Sequence, residues 1–397
     1  MEQMEPGRRK WLKTSVLTAG GLTLLPYAGI AETPRVRMIP DSNGNLSYSP
    51  FFKEYLPETM FPDTPLLAKL NANENPYGPS KMAVEAVAQT ASMGNRYAWR
   101  ELTSLVESLA GLEGVASENI LMGPGSSDIL EKTAMVFFAD GGNVVSADPS
   151  YMSLIQVAKA TGASWKPVPL RPDWSHDLEA MEKAVDEDTK LVYICNPNNP
   201  TGTLTDAAEL LDFCSRVSEK VPVFVDEAYL GFLDDGIKQS MVSLVQEGKN
   251  VIVARTFSKI HGLAGLRVGY AVALPETLAR LNAITRGGMG IAYTSIFAAK
   301  ASLEDVEFVS SCRKLNAEVR DFVYKSLKGM GHEPVPSHTS FMIFPIEMEG
   351  KAFLDKMTEQ GVGVRAFQFM DRKWCRVSMG TMEEMKVFVS ALDKVLV

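Results

Sequence analysis

The chain has 397 residues, 46% of them hydrophobic, with a mean hydropathy near zero, which is ample for a large core shared between two domains. A formal charge of -8 and a pI near 5.3 argue against nucleic acid as the main partner, since that role leaves a basic footprint. The 4 cysteines lack CxxC spacing and the 4 histidines form no HExxH pair, so neither a disulfide framework nor a metal site is indicated.

The N-terminus reads Gly7-Arg8-Arg9-Lys10-Trp11-Leu12-Lys13 and continues into a short, mildly apolar run to Leu25. A basic stretch before an apolar run too short to span a bilayer predicts a secretory signal over residues 1–31, with small residues Gly29 and Ala31 suiting cleavage after Ala31. The paired arginines resemble a twin-arginine signal, which implies export of an already folded protein to the periplasm. A disordered basic tail on a cytoplasmic protein is the alternative.

Residues 32–69 carry Pro34, Pro40, Pro50, Pro57, Pro62 and Pro65 and read as an extended arm. The polar turn Asn73-Glu74-Asn75-Pro76-Tyr77-Gly78-Pro79-Ser80 leads into a helix around 80–92. From about 100 to 290, short β-branched runs alternate with amphipathic helical windows. The predicted strands are Asn119–Met122, Asn143–Ala147, Lys190–Cys195, Val221–Asp226, Asn250–Arg255 and Leu266–Ala271, with helices such as Ser127–Phe138 and Asp206–Glu219 between them. That alternation predicts an α/β domain with a mostly parallel sheet covered on both faces. Beyond residue 293 a helical stretch to about Lys328 precedes strand Phe341–Pro345, helix Lys351–Gln360, strand Cys375–Met379 and a helix from Met382, a smaller α+β unit.

The chemistry concentrates in Thr256-Phe257-Ser258-Lys259, followed by Gly262, Gly265, Arg267 and Gly269. Burying an ammonium in such an apolar, glycine-spaced stretch is expensive unless the group is neutral, paired or covalently engaged, for instance as a Schiff base with a carbonyl. Thr256, Ser258 and Arg267 add hydroxyls and a guanidinium fork suited to a phosphate. An aldehyde and a phosphate on one small molecule point to pyridoxal 5'-phosphate (PLP).

Such a cofactor asks for further groups, and each has a candidate. Asp226, ending a strand, would pair with the pyridine nitrogen; its other reading is a helix cap. Asn199 and Tyr229 would donate to the phenolic oxygen, although Asn199-Pro200-Thr201-Gly202 is also a turn. Gly125, Ser126 and Ser127, after one strand and before a helix, would face the phosphate with backbone N–H groups. Tyr151 would stack on the ring or serve as a core aromatic. His261 serves either packing or proton transfer.

In this order and spacing the motifs 73–80, 196–202, 225–229 and 256–269 resemble the class I/II aminotransferases of PLP fold type I, most closely the histidinol-phosphate aminotransferase branch. The resemblance runs over about residues 66–397. It implies a large domain over 70–288 with a mostly parallel seven-stranded sheet, and a smaller α+β domain over 289–397 joined by the arm. It also implies a homodimer in which Tyr97 reaches the neighbour's cofactor phosphate, with Arg376, Arg365 and Asn75 on the substrate. The chain departs from that branch at Tyr97-Ala98-Trp99, Met289–Thr294 and Ser340, and at Ser127 in the phosphate turn; the catalytic core matches and substrate-side positions differ.

The expected reaction moves an amino group from an amino acid or related amine, histidinol-phosphate-like or aromatic, to a 2-oxo acid. Lys259 would carry the cofactor and then move the donor's Cα proton. Decarboxylation and O2-dependent oxidation use the same core residues, and a non-catalytic binding protein on this fold is the minor alternative. Neither nucleic acid nor a membrane span is expected.

Overall fold

The computed structural model describes residues 40, 45–58, 65–284 and 287–396, so the predicted signal over 1–31 lies outside it. Three short strands come first: β1 (Asn45–Ser47), β2 (Lys53–Tyr55) and β3 (Ala68–Lys69). They are followed by β4 (Ile120–Gly123), β5 (Asn143–Asp148), β6 (Ser164–Pro169), β7 (Thr189–Cys195), β8 (Val223–Asp226), β9 (Val251–Thr256) and β10 (Gly269–Val272). Later come β11 (Phe341–Ile346), β12 (Val362–Gly363), β13 (Arg365–Phe369) and β14 (Arg372–Ser378).

Seven strands form one sheet in the order β4-β10-β9-β8-β7-β5-β6. Its pairings are parallel except those of β10, which runs antiparallel to β4 and β9. The unbroken apolar strands have a simple cause. Val192, Ile194, Val223, Val225, Val251 and Val253 point into one core, while Leu191, Tyr193, Phe224, Ile252 and Ala254 point into the other. A sheet covered on both faces leaves no polar side to alternate with.

One strand escapes the hydrophobic pattern. β6 carries Pro167 and Pro169, and it sits at the sheet edge, where a missing N–H leaves no ladder bond unmade.

The second sheet has the order β1-β2-β13-β14-β11, all antiparallel. The segment expected to run merely extended therefore contributes two strands here, with Tyr55 opposite Ala366 and Glu54 opposite Phe367. β13 joins β14 through the short turn Met370-Asp371, but its other partner, β2, lies about 310 residues away in sequence. The core beneath includes Phe344, Phe353 and Phe388.

Candidate active site

Register explains how the phosphate-type groups meet. Gly269 of β10 lies opposite Gly123 on one side and Thr256 on the other, so the turn after β4, the hydroxyls after β9 and Arg267 converge. The turn cannot tolerate larger residues. Gly125 has φ +89°, and a Cβ there would stand 2.2 Å from Arg267 Nη2; one on Gly269 would stand 2.4 Å from the Ser126 nitrogen. Helix Ser126–Phe137 starts at this point, directing its first N–H groups and dipole into the space. Ser258 Oγ accepts from Thr256 Oγ1 at 2.9 Å and from Arg267 Nη1 at 3.3 Å. Arg267 also donates to the carbonyls of Ala264 and Pro124, at 2.9 and 3.2 Å.

These groups line a cavity of about 270 Å³ together with Asn73, Tyr151, Asn199, Asp226, Tyr229, Lys259, Arg365 and Arg376. Asp226 closes β8 and is only 2% exposed. Burial pushes its carboxyl up to about 6, opposed by the Ala228 N–H at 3.1 Å and by the Lys259 charge. Lys259 donates from Nζ to the carbonyl of Asn73 at 2.9 Å and stands 5.5 Å from the Tyr229 ring centre. Burial first, and the Arg376 charge second, lower its ammonium to about 8, while Asp226 pulls the other way. An amine able to shed its proton near neutral pH thus shares a cavity with a buried acid.

The phenol of Tyr229 is held by two amides: Asn73 Nδ2 donates to its oxygen at 2.8 Å and Asn199 Nδ2 reaches it at 3.5 Å. Asn73 is fixed in turn by Ser378, whose hydroxyl donates to its Oδ1 at 2.7 Å. Tyr151 and Ser127 place their hydroxyls 3.4 Å apart.

On the far wall, Arg365 of β13 and Arg376 of β14 lie directly opposite each other. Like charges facing across a ladder repel, and the two are treated differently. Arg365 donates from Nε to Glu54 Oε1 at 2.7 Å and from Nη2 to the same oxygen. Arg376 donates from Nη1 to Asn199 Oδ1 at 2.7 Å, but its buried Nε meets no hydrogen-bond partner among the described residues. Burial, then the neighbouring Arg365, lower its guanidinium to about 10.

Behind Asp226 a buried ion triad fixes the strand end. Arg255 pairs with Glu113 at 3.2 Å and with Glu227 at 3.1 Å. Glu227 also accepts from the Met241 N–H and the Ser240 hydroxyl, both at 2.8 Å.

Most residues singled out from the sequence thus line one cavity. Four do not. Gly125 shapes the turn beside Arg267 without lining the cavity. Asn75 donates to the Ile260 carbonyl at 2.9 Å and to Cys312 Sγ at 3.3 Å, outside the cavity that Asn73 lines. Tyr97 is 77% exposed, its ring 6.2 Å from that of Trp99, outside its own chain's cavity. His261 donates to or accepts from Ser302 Oγ at 2.8 Å and packs on Phe257, with burial lowering it to about 4; it lines a different cavity. Glu54, Ser378, Arg255 and Glu113 carry no local motif, and only the fold reveals them and the pairing of Arg255 with Glu227, which lies within the 225–229 motif. Among the described residues no cluster of His, Cys, Asp and Glu could hold a metal ion, and no helix is long and apolar enough to cross a membrane.

This donor set fits a phosphorylated pyridine aldehyde. The glycine turn, Ser126, Ser127, Ser258 and Arg267 would hold the phosphate, Asp226 the ring nitrogen, Asn199 and Tyr229 the phenolic oxygen, and Lys259 the aldehyde.

Known proteins resemble this chain in sequence and fold. The sequence model of the family described as aminotransferase class I and II matches residues 67–392. A histidinol-phosphate aminotransferase of Moorella thermoacetica is 36% identical over 330 residues, 83% of this chain and 85% of that protein. One of Akkermansia muciniphila is 37% identical over 331 residues, 83% of this chain and 90% of that protein. The solved histidinol-phosphate aminotransferase of Sinorhizobium meliloti, in complex with pyridoxal-5'-phosphate, superimposes with a TM-score of 0.78 at 29% identity, covering 84% of this chain and 91% of that one. The L-threonine-O-3-phosphate decarboxylase of Porphyromonas gingivalis shares the fold at a TM-score of 0.72 and 21% identity, over 83% of this chain and 99% of that one.

Proposed function

This chain belongs to the class I and II aminotransferase family and is a transaminase that uses pyridoxal 5'-phosphate, and we propose that its amino donor is an amino acid whose carboxylate docks on Arg376. The observation that carries the choice of donor is Arg376 itself, a buried guanidinium that lines the cavity shared by Lys259 and Asp226 and keeps its Nε without a hydrogen-bond partner among the described residues. A carboxylate there would satisfy the guanidinium fork in two places.

When bound, the cofactor supplies the aldehyde that takes up the amino group and the ring that stabilises negative charge at the donor's Cα. The chain's residues do the rest. Lys259, with its ammonium lowered to about 8, has a neutral fraction near physiological pH and moves the Cα proton. Asp226 would hold the ring nitrogen as an anion, and the triad behind it keeps the strand end from shifting. Tyr229 and Asn199 would donate hydrogen bonds to the phenolic oxygen.

Two further readings belong to this proposal. The enzyme works as a homodimer, with Tyr97 completing the neighbour's phosphate site. In support, Tyr97 and Trp99 expose 77% and 58% of their surfaces beside exposed Met93. Sedimentation at twice the 43.5 kDa chain mass is expected, and a monomer active at every dilution would refute it. The protein is exported by the twin-arginine route, as Arg8-Arg9 and the short apolar run suggest. Replacing both arginines by lysine is then expected to keep the protein in the cytoplasm.

Single-turnover mixing with a panel of amino donors tests the central reading. A carboxylate-bearing donor is expected to convert the cofactor to its amino form, which a 2-oxo acid then reverses. Release of CO2 or uptake of O2 in place of that amino form would assign a different reaction.

A further inference from the structure

Next to the cofactor cavity lies a second chamber of about 200 Å³ that shares Tyr151, Asn199, Arg365 and Arg376 with it. Part of its wall comes from the arm: Tyr48, Phe52 and Glu54 precede the residues 67–392 that the family model matches. The arm is held firmly: Ser49 Oγ donates to Asp148 Oδ2 at 2.8 Å, Lys159 Nζ donates to the Tyr48 carbonyl at 3.1 Å, and β2 pairs with β13.

Glu54 is 3% exposed and fully engaged, accepting from Arg365 on Oε1 and from the Tyr48 hydroxyl on Oε2 at 2.5 Å. Its position follows from register. Glu54 lies opposite Phe367, two residues along β13 from Arg365, so the carboxylate and guanidinium share a face as diagonal neighbours. The charge count is then decisive. Two arginines against one glutamate leave a single net positive charge, enough for one carboxylate and short of what a phosphate dianion needs. A phosphate drawn to Arg365 would also meet the Glu54 anion at contact distance, in a partly desolvated site where repulsion is costly. The remaining walls carry no charge: Phe52, whose ring lies 4.9 Å from Tyr48 and 6.0 Å from Phe367, forms an aromatic side with Met152 and Pro200, and Ser150, Ser153, Gln156 and Asn199 form a neutral polar side.

We propose that the arm forms a donor-selecting subsite, in which Glu54 neutralises Arg365 so that the chamber takes an uncharged side chain, its ring or apolar part against Phe52 and Phe367, and rejects a phosphate. This deepens the amino-acid donor reading and rests on it. Glu54 acts through Arg365 and is a specificity-determining residue, with no part in proton transfer.

The test measures equilibrium binding of two unreactive probes, 3-phenylpropionate and 3-phenylpropyl phosphate, to the cofactor-loaded enzyme by calorimetry. The wild type is expected to bind the carboxylate at least about tenfold more tightly, and Glu54→Gln to narrow that ratio by roughly tenfold in favour of the phosphate. A wild type that binds the phosphate equally well or better overturns the proposal. So does a Glu54→Gln protein with an unchanged ratio, and so does failure of both probes to bind. Should Glu54→Gln not fold, the wild-type ratio alone decides. Donor turnover, measured in parallel, separates the two readings: selective binding without amino transfer defeats the reaction and leaves the subsite, and amino transfer without selectivity does the reverse.

Discussion

On the cofactor side, Ser126, Asp226, Thr256, Ser258, Lys259 and Arg267 all lie at or just beyond the ends of strands in one sheet. On the donor side, Glu54, Arg365 and Arg376 come from three strands of the other sheet, brought together across more than 300 positions in sequence. The first region is a set of local turns, each carrying its own residue signature. The second exists only after the arm, β13 and β14 have paired. This difference separates what must stay fixed for the chemistry from what can drift with the substrate, and mutations can probe each side separately.

The largest effect is expected at Lys259. Lys259→Ala removes both the attachment point and the proton carrier, and turnover in a coupled transaminase assay should fall by ~10³-fold or more. Borohydride reduction of the wild type, followed by peptide mapping, should place a pyridoxyl label in the 256–270 peptide. Retention of visible cofactor absorbance and turnover in the variant would remove the cofactor-side assignment.

Asp226→Asn comes next, with activity falling on the order of 10²-fold as the buried anion beneath the ring is lost. Its effect on stability has the opposite sign. Folding raises this carboxyl from 3.8 to about 6, so the native state binds more protons than the unfolded chain between those values. The favourable contribution is complete below pH 3.8 and is lost as pH climbs through 6. At pH 7 the native, cofactor-free protein therefore carries a buried charge at a cost on the order of 3 kcal/mol. Asp226→Asn should raise the Tm of that form by a few degrees at pH 7 and flatten the fall in stability between pH 4 and 6. A variant less stable than wild type at pH 7 would mean that the Lys259 charge compensates the carboxylate.

The contrast between the two sides also decides what could be read from the chain. Asp226 and Lys259 follow runs of β-branched residues, so strand ends and the residues beyond them are visible together. β6 hid behind Pro167 and Pro169, which only an edge position permits. Glu54 was invisible for a different reason. A lone glutamate in a proline-rich segment has no local pattern, and its meaning depends on a register with β13 that no nearby residue encodes. The sequence resemblance leads one to expect both arginines on the substrate, but nothing in the sequence shows that one is neutralised by Glu54 and the other keeps an unpartnered Nε.

On the donor side, Arg376→Met keeps the packing against Phe341 and Phe367 but removes the carboxylate fork. KM for carboxylate donors should rise by roughly 10²-fold, with kcat falling less. Equal losses in kcat and kcat/KM would instead mean that Arg376 acts only in the transition state.

The finest discrimination lies between two asparagines of one turn. Asn73 donates to the Tyr229 phenol at 2.8 Å and accepts from Ser378 at 2.7 Å, so Asn73→Ala frees the phenol that faces the cofactor. Losing hydrogen bonds of this kind costs about 1 kcal/mol each, and kcat should drop by roughly five- to tenfold with a shifted cofactor spectrum. Asn75 instead ties its turn to the Ile260 carbonyl at 2.9 Å. Asn75→Ala should lower stability by about 1 kcal/mol while kcat stays within about twofold of wild type. Motif position alone makes the two residues look interchangeable, whereas hydrogen-bond direction separates them. A variant pair with the effects reversed would show that the turn rearranges when donor and cofactor are bound, placing Asn75 on the substrate after all.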